Sequence, residues 1–177
     1  MPPSLLPLYF RLLCGLILGV FLVPAARAAV EHPPLTGPTV PGNKAVVNWG
    51  KCIPPENAPL AVKKAVWACN YLIGRPYVWG GGHGTFYDRG YDCSGSVSFL
   101  LHHAGVLDQP TPSKGLQTYG APGPGYWITI YARNGHTFAI VCGVRLDTTG
   151  AHGDEGPRWR RNDRGPAGFV ARHPPGL

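Results

Sequence analysis

Cys93 stands between Asp92 and Ser94-Gly95, where a glycine-rich stretch gives way to the apolar run Val97, Phe99, Leu100 and Leu101 that ends at Gly105. That pattern predicts a helix opening at Asp92-Cys93-Ser94. A thiol at a helix start receives the positive end of the backbone dipole and nearby unpaired N–H groups, which favour the nucleophilic thiolate. The other cysteines beyond residue 28 sit differently: Cys52 and Cys69 bracket a first helix, and Cys142 lies in an apolar strand. Cys93 is therefore the candidate nucleophile, and it needs a base. His136 follows Asn134-Gly135, a strong two-residue hairpin signal, and so begins a returning strand. If Cys142-Gly143 forms the next two-residue turn, His136 faces Thr149 and Phe138 faces Asp147 on one sheet face. Asp147 is then a diagonal neighbour of His136, where a carboxylate accepts a ring N–H and holds the imidazole. A slip of one residue would bring Thr148 to that face instead, and a hairpin-end Asp also serves to bond local backbone.

The elements that must position these groups follow from periodicity. A helix is expected from Asn57, whose side chain can cap it, with Pro59 in its first turn and Ala61, Val62, Ala65, Val66, Cys69 and Leu72 on one face, stopped by Gly74. Arg75 to Gly84 reads as a short extended aromatic stretch running into glycines, in which His83 either gates the cleft or, the reading preferred, is an ordinary loop residue. His102 and His103 are adjacent, point about 100° apart on a helix and cannot chelate one metal from one face. Strands are expected over Tyr126–Ala132, His136–Cys142, Val144–Thr148 and Phe169–Arg172, with 149–167 a loop holding Arg158 and Trp159, candidates for gripping a substrate carboxylate.

Taken together, Pro76-Tyr77-Val78-Trp79-Gly80-Gly81, then Asp92-Cys93-Ser94-Gly95, then Gly135-His136 resemble the NlpC/P60 family of papain-like cysteine peptidases over about residues 58 to 150. The resemblance implies an α+β fold, with N-terminal helices packed on a small antiparallel sheet. It also implies hydrolysis of cell-wall (peptidoglycan) stem peptides by a cysteine, a histidine and a third polar residue. Cys93 and His136 match motif positions directly, and the resemblance adds the Tyr77 hydroxyl as a cleft group beside Ser94. Two departures stand out. The Gly-Asp-Leu segment usual ahead of the histidine strand is replaced by Tyr126 to Arg133, and extra residues lie around His83 to Arg89. No cofactor or metal is required by such chemistry. The same residues would also serve a non-catalytic wall-binding module, or an acyltransferase or toxin using the same cysteine.

Composition narrows the setting. The 177 residues include 25 Gly and 20 Pro but 44% hydrophobic residues, which fits one loop-rich globular domain. Residues 1–28 read as an export signal: Arg11, the apolar run Leu12 to Val23, then Ala26-Arg27-Ala28. Twelve apolar residues fall short of the roughly 20 that a membrane span needs. The mature chain is expected to be exported to the periplasm, wall or exterior, with no membrane attachment after cleavage. Residues 29–55 form a Pro-rich extended lead-in, and 56–177 form the catalytic domain. The net charge of +7 favours anionic cell-wall polymers as partners. Nucleic acid is not expected, since the arginines from Arg158 to Arg164 lie in a Gly/Pro-broken loop without a recognition helix. Patterns for dinucleotide, phosphate-loop or clustered-metal sites do not occur. In an exported chain Cys52 and Cys69 are expected to pair, closing a loop of about 18 residues and stabilising the fold by roughly 3 kcal/mol.

Overall fold

The computed structural model describes residues 32–149, 156–163 and 165–177; the expected leader, residues 1–28, lies outside them. Helix α1, Leu60–Cys69, buries Val62, Ala65, Val66, Ala68 and Cys69. Helix α2, Cys93–His103, packs against it and is buried along Cys93 to Leu101. A single turn, α3, spans Ser113–Leu116. A ribbon of β1, Val46–Asn48, and β2, Lys51–Ile53, precedes the helices. The main sheet contains β3 (Ala121–Pro122), β4 (Ile128–Arg133), β5 (His136–Val141), β6 (Val144–Asp147), β7 (Arg158–Arg160) and β8 (Val170–His173). Its order is β3-β8-β4-β5-β6-β7, and every neighbouring pair is antiparallel. Mixed helix with antiparallel sheet is compatible with the α+β class expected.

Strand alternation builds the core. Ile128, Ile130 and Ala132 of β4, Ala139 and Val141 of β5, and Val144 and Leu146 of β6 join Val62, Val66, Val97 and Leu101 from the helices in one apolar cluster. α2 lies against β5 and β6. The β5–β6 pairing is Ala139↔Leu146, Ile140↔Arg145 and Val141↔Val144 around Cys142-Gly143, the register read from the sequence. Cys142 (φ 51°) and Gly143 (φ 87°) both take the left-handed conformation of the tight hairpin turn whose twist suits the flanking strands.

Several elements differ from expectation. α1 opens at Leu60 with Pro59 at its cap position and no side-chain cap. The Asn57 amide instead donates to Asn43 Oδ1 at 2.9 Å. The lead-in is more than an extended arm, because the β1–β2 ribbon folds back and the Val40 N–H bonds the Pro54 carbonyl at 3.0 Å. Part of the expected 149–167 loop is strand: β7 closes the sheet edge by pairing with β6. Three residues that alternate between arginine and a buried tryptophan carry too little periodicity to be told from a loop.

The expected Cys52–Cys69 bridge is not formed; all four described cysteines are free and buried. Burial, then the neighbouring thiol (Cys142 for Cys52, Cys52 for Cys69), pushes both groups well above the usual thiol range, so neither is a ready thiolate for exchange. A side-chain clamp joins these segments instead. Asn70, just beyond α1, accepts the Cys52 N–H at 2.8 Å, donates to the Cys52 carbonyl at 2.8 Å, and accepts the Trp159 indole N–H at 2.9 Å. One carboxamide thus ties the helix end to β2 and β7. Asn70→Ala strands two donors and an acceptor, and should destabilise the fold by about 2–4 kcal/mol in urea melts; a loss under about 0.5 kcal/mol would show that the clamp is incidental.

Candidate functional site

The start of α2 is organised by Asp92. Its carboxylate Oδ1 accepts the Gly95 N–H at 2.8 Å and the Ser94 hydroxyl at 3.1 Å, and Oδ2 accepts the Gly80 N–H at 3.1 Å. The first of these is a helix N-cap, and it satisfies one of the first-turn donors that a helix leaves unpaired. Gly80 belongs to the glycine loop, which lies hard on the helix. A Cβ on Gly82 would stand 2.8 Å from the Gly95 Cα, and one on Gly95 would collide with the Gly81 carbonyl. Only glycines permit that approach, so Cys93 rides on a helix start that is clamped from outside.

His136, the first residue of β5, is hydrogen bonded to Cys93 and to Asp147. Its Nε2 lies 3.0 Å from Asp147 Oδ1 and 3.0 Å from Thr149 Oγ1. With Nε2 committed there, Nδ1 is the ring nitrogen left for the sulfur. The Asp147 side chain is fully buried and also accepts the Thr149 N–H at 2.9 Å, while Arg145 Nε approaches its other oxygen at 3.5 Å. Arg145 in turn bonds Asp163 at 3.1 Å. Burial on its own lowers the His136 pKa, but the hydrogen bonds to Asp147 and Cys93 and their charges outweigh it and lift it to about 9. The imidazolium is thus favoured beside the thiol, the charge state that a cysteine–histidine nucleophile uses.

Cys93, His136 and Asp147 therefore meet as their spacing implied. Burial, then the charges of Cys93 and Asp92, raises the Tyr77 phenol pKa. The Ser94 hydroxyl turns into the Asp92 cap, leaving its backbone N–H as the group by which Ser94 could face a substrate. Arg158 is on β7 rather than in a loop; it pairs with Asp147 across the ladder and donates to the Pro157 carbonyl at 3.0 Å. Trp159 is buried with its indole on Asn70, and the pocket it lines, with Val47, Val144 and Arg160, includes neither Cys93 nor His136. The roles of two groups differ from those expected. Thr149 was placed opposite His136 without a role, and its hydroxyl and N–H complete the ring's anchorage. His83 is no ordinary loop residue: its Nε2 lies 2.9 Å from Asp92 Oδ2 and 2.9 Å from Ser94 Oγ. A lone histidine among glycines carries no periodic signal that could have revealed this. Among the described residues no three His, Cys, Asp or Glu side chains are grouped to hold a metal ion, and no helix is long and apolar enough to cross a membrane.

No protein-family model matches the chain. Two curated relatives, both peptidoglycan endopeptidase RipB from strains CDC 1551/Oshkosh and ATCC 25618/H37Rv of Mycobacterium tuberculosis, are each 30% identical over 125 residues, covering 57% of this chain and 52% of theirs. The chain spans about half the length of the curated relatives it matches.

The His136 charge state gives a direct check. Its folded pKa of about 9 lies above the unfolded value of about 6.5, so the stabilisation it contributes is full below about pH 6.5 and is lost as pH rises through about 9. Ring-proton NMR should place the His136 titration near pH 9 in the wild type and lower in Asp147→Asn. A wild-type midpoint at or below about 6.5 would refute the assigned environment.

Proposed function

We propose that this chain is an exported cysteine hydrolase that cleaves amide bonds in peptidoglycan stem peptides, with the fold of the papain-like NlpC/P60 peptidases. The observation that carries the reading is a single histidine, His136, bonded at once to a helix-start cysteine and to a buried carboxylate, Asp147. The RipB relatives support the substrate class. The basic composition suits an anionic wall as the setting.

In this reading the Cys93 thiolate attacks the scissile carbonyl carbon and forms a tetrahedral oxyanion. Asp92 occupies the Gly95 N–H, so the oxyanion falls to the remaining first-turn donors, the N–H groups of Cys93 and Ser94, and by family resemblance to the Tyr77 hydroxyl. The imidazolium of His136 protonates the leaving amine, and a thioester remains on Cys93. Neutral His136 then takes a proton from water, which attacks the thioester; the product acid leaves, and the Cys93 thiolate and His136 imidazolium are restored. Asp147 and Thr149 hold the ring so that the sulfur-facing nitrogen does both transfers. In this reading Arg158, which pairs with Asp147 across the ladder, is the side chain that would meet a substrate carboxylate.

Removing either half of the dyad should end turnover without unfolding the protein, because both act in one covalent step. With soluble muropeptides as substrate, Cys93→Ala or His136→Ala should lower kcat/KM by at least about 1,000-fold, and Asp147→Ala by about 10- to 100-fold. Near-normal turnover in His136→Ala would overturn the assignment. Tight binding of muropeptides by the wild type with no cleavage would favour a wall-binding module instead.

A further inference from the structure

We infer that His83 is a positioning residue for the nucleophile, a second histidine that holds Cys93 through the two residues flanking it. This rests on the hydrolase reading above and extends it to a group outside the dyad. The flanking residues are Asp92 and Ser94, and His83 Nε2 reaches both: 2.9 Å to Asp92 Oδ2, 3.1 Å to Asp92 Oδ1 and 2.9 Å to Ser94 Oγ. A carboxylate only accepts, so the Nε2 hydrogen goes to Asp92, while the Ser94 hydroxyl gives its own hydrogen to the same carboxylate. Ring, hydroxyl and carboxylate close a small network around the backbone of Cys93.

That network answers a problem created by the motif itself. A carboxylate that is 4% exposed and one residue from the attacking sulfur opposes the build-up of a second negative charge there. Asp92 is disarmed by four donors, namely Gly95 N–H, Gly80 N–H, the Ser94 hydroxyl and His83. His83 is the one donor among them that can bring positive charge. It also sits in the loop that supplies Gly80, and the loop packs on Gly95 through Gly82. Loss of the His83 bond therefore loosens a second donor along with the first. The proton carrier remains His136, which touches Cys93 itself.

The test measures kcat, KM and the iodoacetamide alkylation rate of Cys93 for His83→Ala and His83→Gln beside wild type. Glutamine sets an amide N–H near the position of Nε2. We expect His83→Ala to lose about 10- to 100-fold in kcat with KM moving less than about threefold, since a small misplacement of the nucleophile costs the chemical step and not binding. Its alkylation should slow in parallel, and His83→Gln should recover kcat to within about fivefold of wild type. A kcat within about twofold of wild type in His83→Ala, or a folded His83→Gln no better than His83→Ala, would overturn the inference. Should His83→Ala fail to fold, His83→Asn, whose amide falls short of Asp92, takes its place under the same criteria. If wild type cleaves no muropeptide, the hydrolase reading fails on its own, and the alkylation rates still decide: equal rates in all variants would sink the positioning role.

Discussion

A strand side chain changes face with every residue, so His136 and Asp147 can meet only if β5 and β6 pair in one register. The site depends on that register. It is set by a two-residue turn in which Cys142 and Gly143 both take positive φ, and a turn one residue longer or shorter would carry Asp147 to the opposite face. The cost of placing a non-glycine residue in the left-handed region at Cys142 is borne by burial of the surrounding strands, where Ala139, Val141, Val144 and Leu146 enter the core together. Once the register holds, the carboxylate, the imidazole and the Thr149 hydroxyl fall into contact.

The other half of the site is fixed from a different direction. α2 must end its first turn against something, and here it ends against the glycine loop, whose backbone N–H at Gly80 and ring at His83 both converge on the Asp92 cap. Cys93 is therefore held by a helix start that cannot fray without breaking a buried cap and a glycine-on-glycine contact. Two acid–histidine pairs flank one sulfur. Asp147 with His136 sits on the sheet, where the proposed hydrolase would move protons; Asp92 with His83 sits at the helix start, where the proposed role is position.

Much of this was legible in the sequence where a local rule applied. The Asp92-Cys93-Ser94 helix start, the Asn134-Gly135 hairpin and the Cys142-Gly143 register each rest on short-range chemistry, and each appears where it was read. Contacts set by tertiary packing were not legible. Asn57 fits the profile of a cap, yet its amide is drawn to Asn43. Arg158–Arg160 becomes strand because the β6 edge offers it unpaired backbone groups. Export favours a Cys52–Cys69 bond, and nothing local in the sequence shows that Asn70 joins the same two segments by hydrogen bonds. His83 stood out as a loop histidine that gates the cleft or does nothing, but its contact with Asp92, nine positions along the chain, lies wholly in the fold, and no period connects the two.

The central claim is that Cys93 forms a covalent bond to substrate. Intact-mass spectrometry after rapid acid quench of enzyme mixed with muropeptide measures that bond directly, and peptide mapping assigns it. The account predicts a transient mass gain equal to the acyl fragment, located on the peptide bearing Cys93 and absent from Cys93→Ser. Turnover with no adduct at any quench time, or an adduct on another residue, would contradict it.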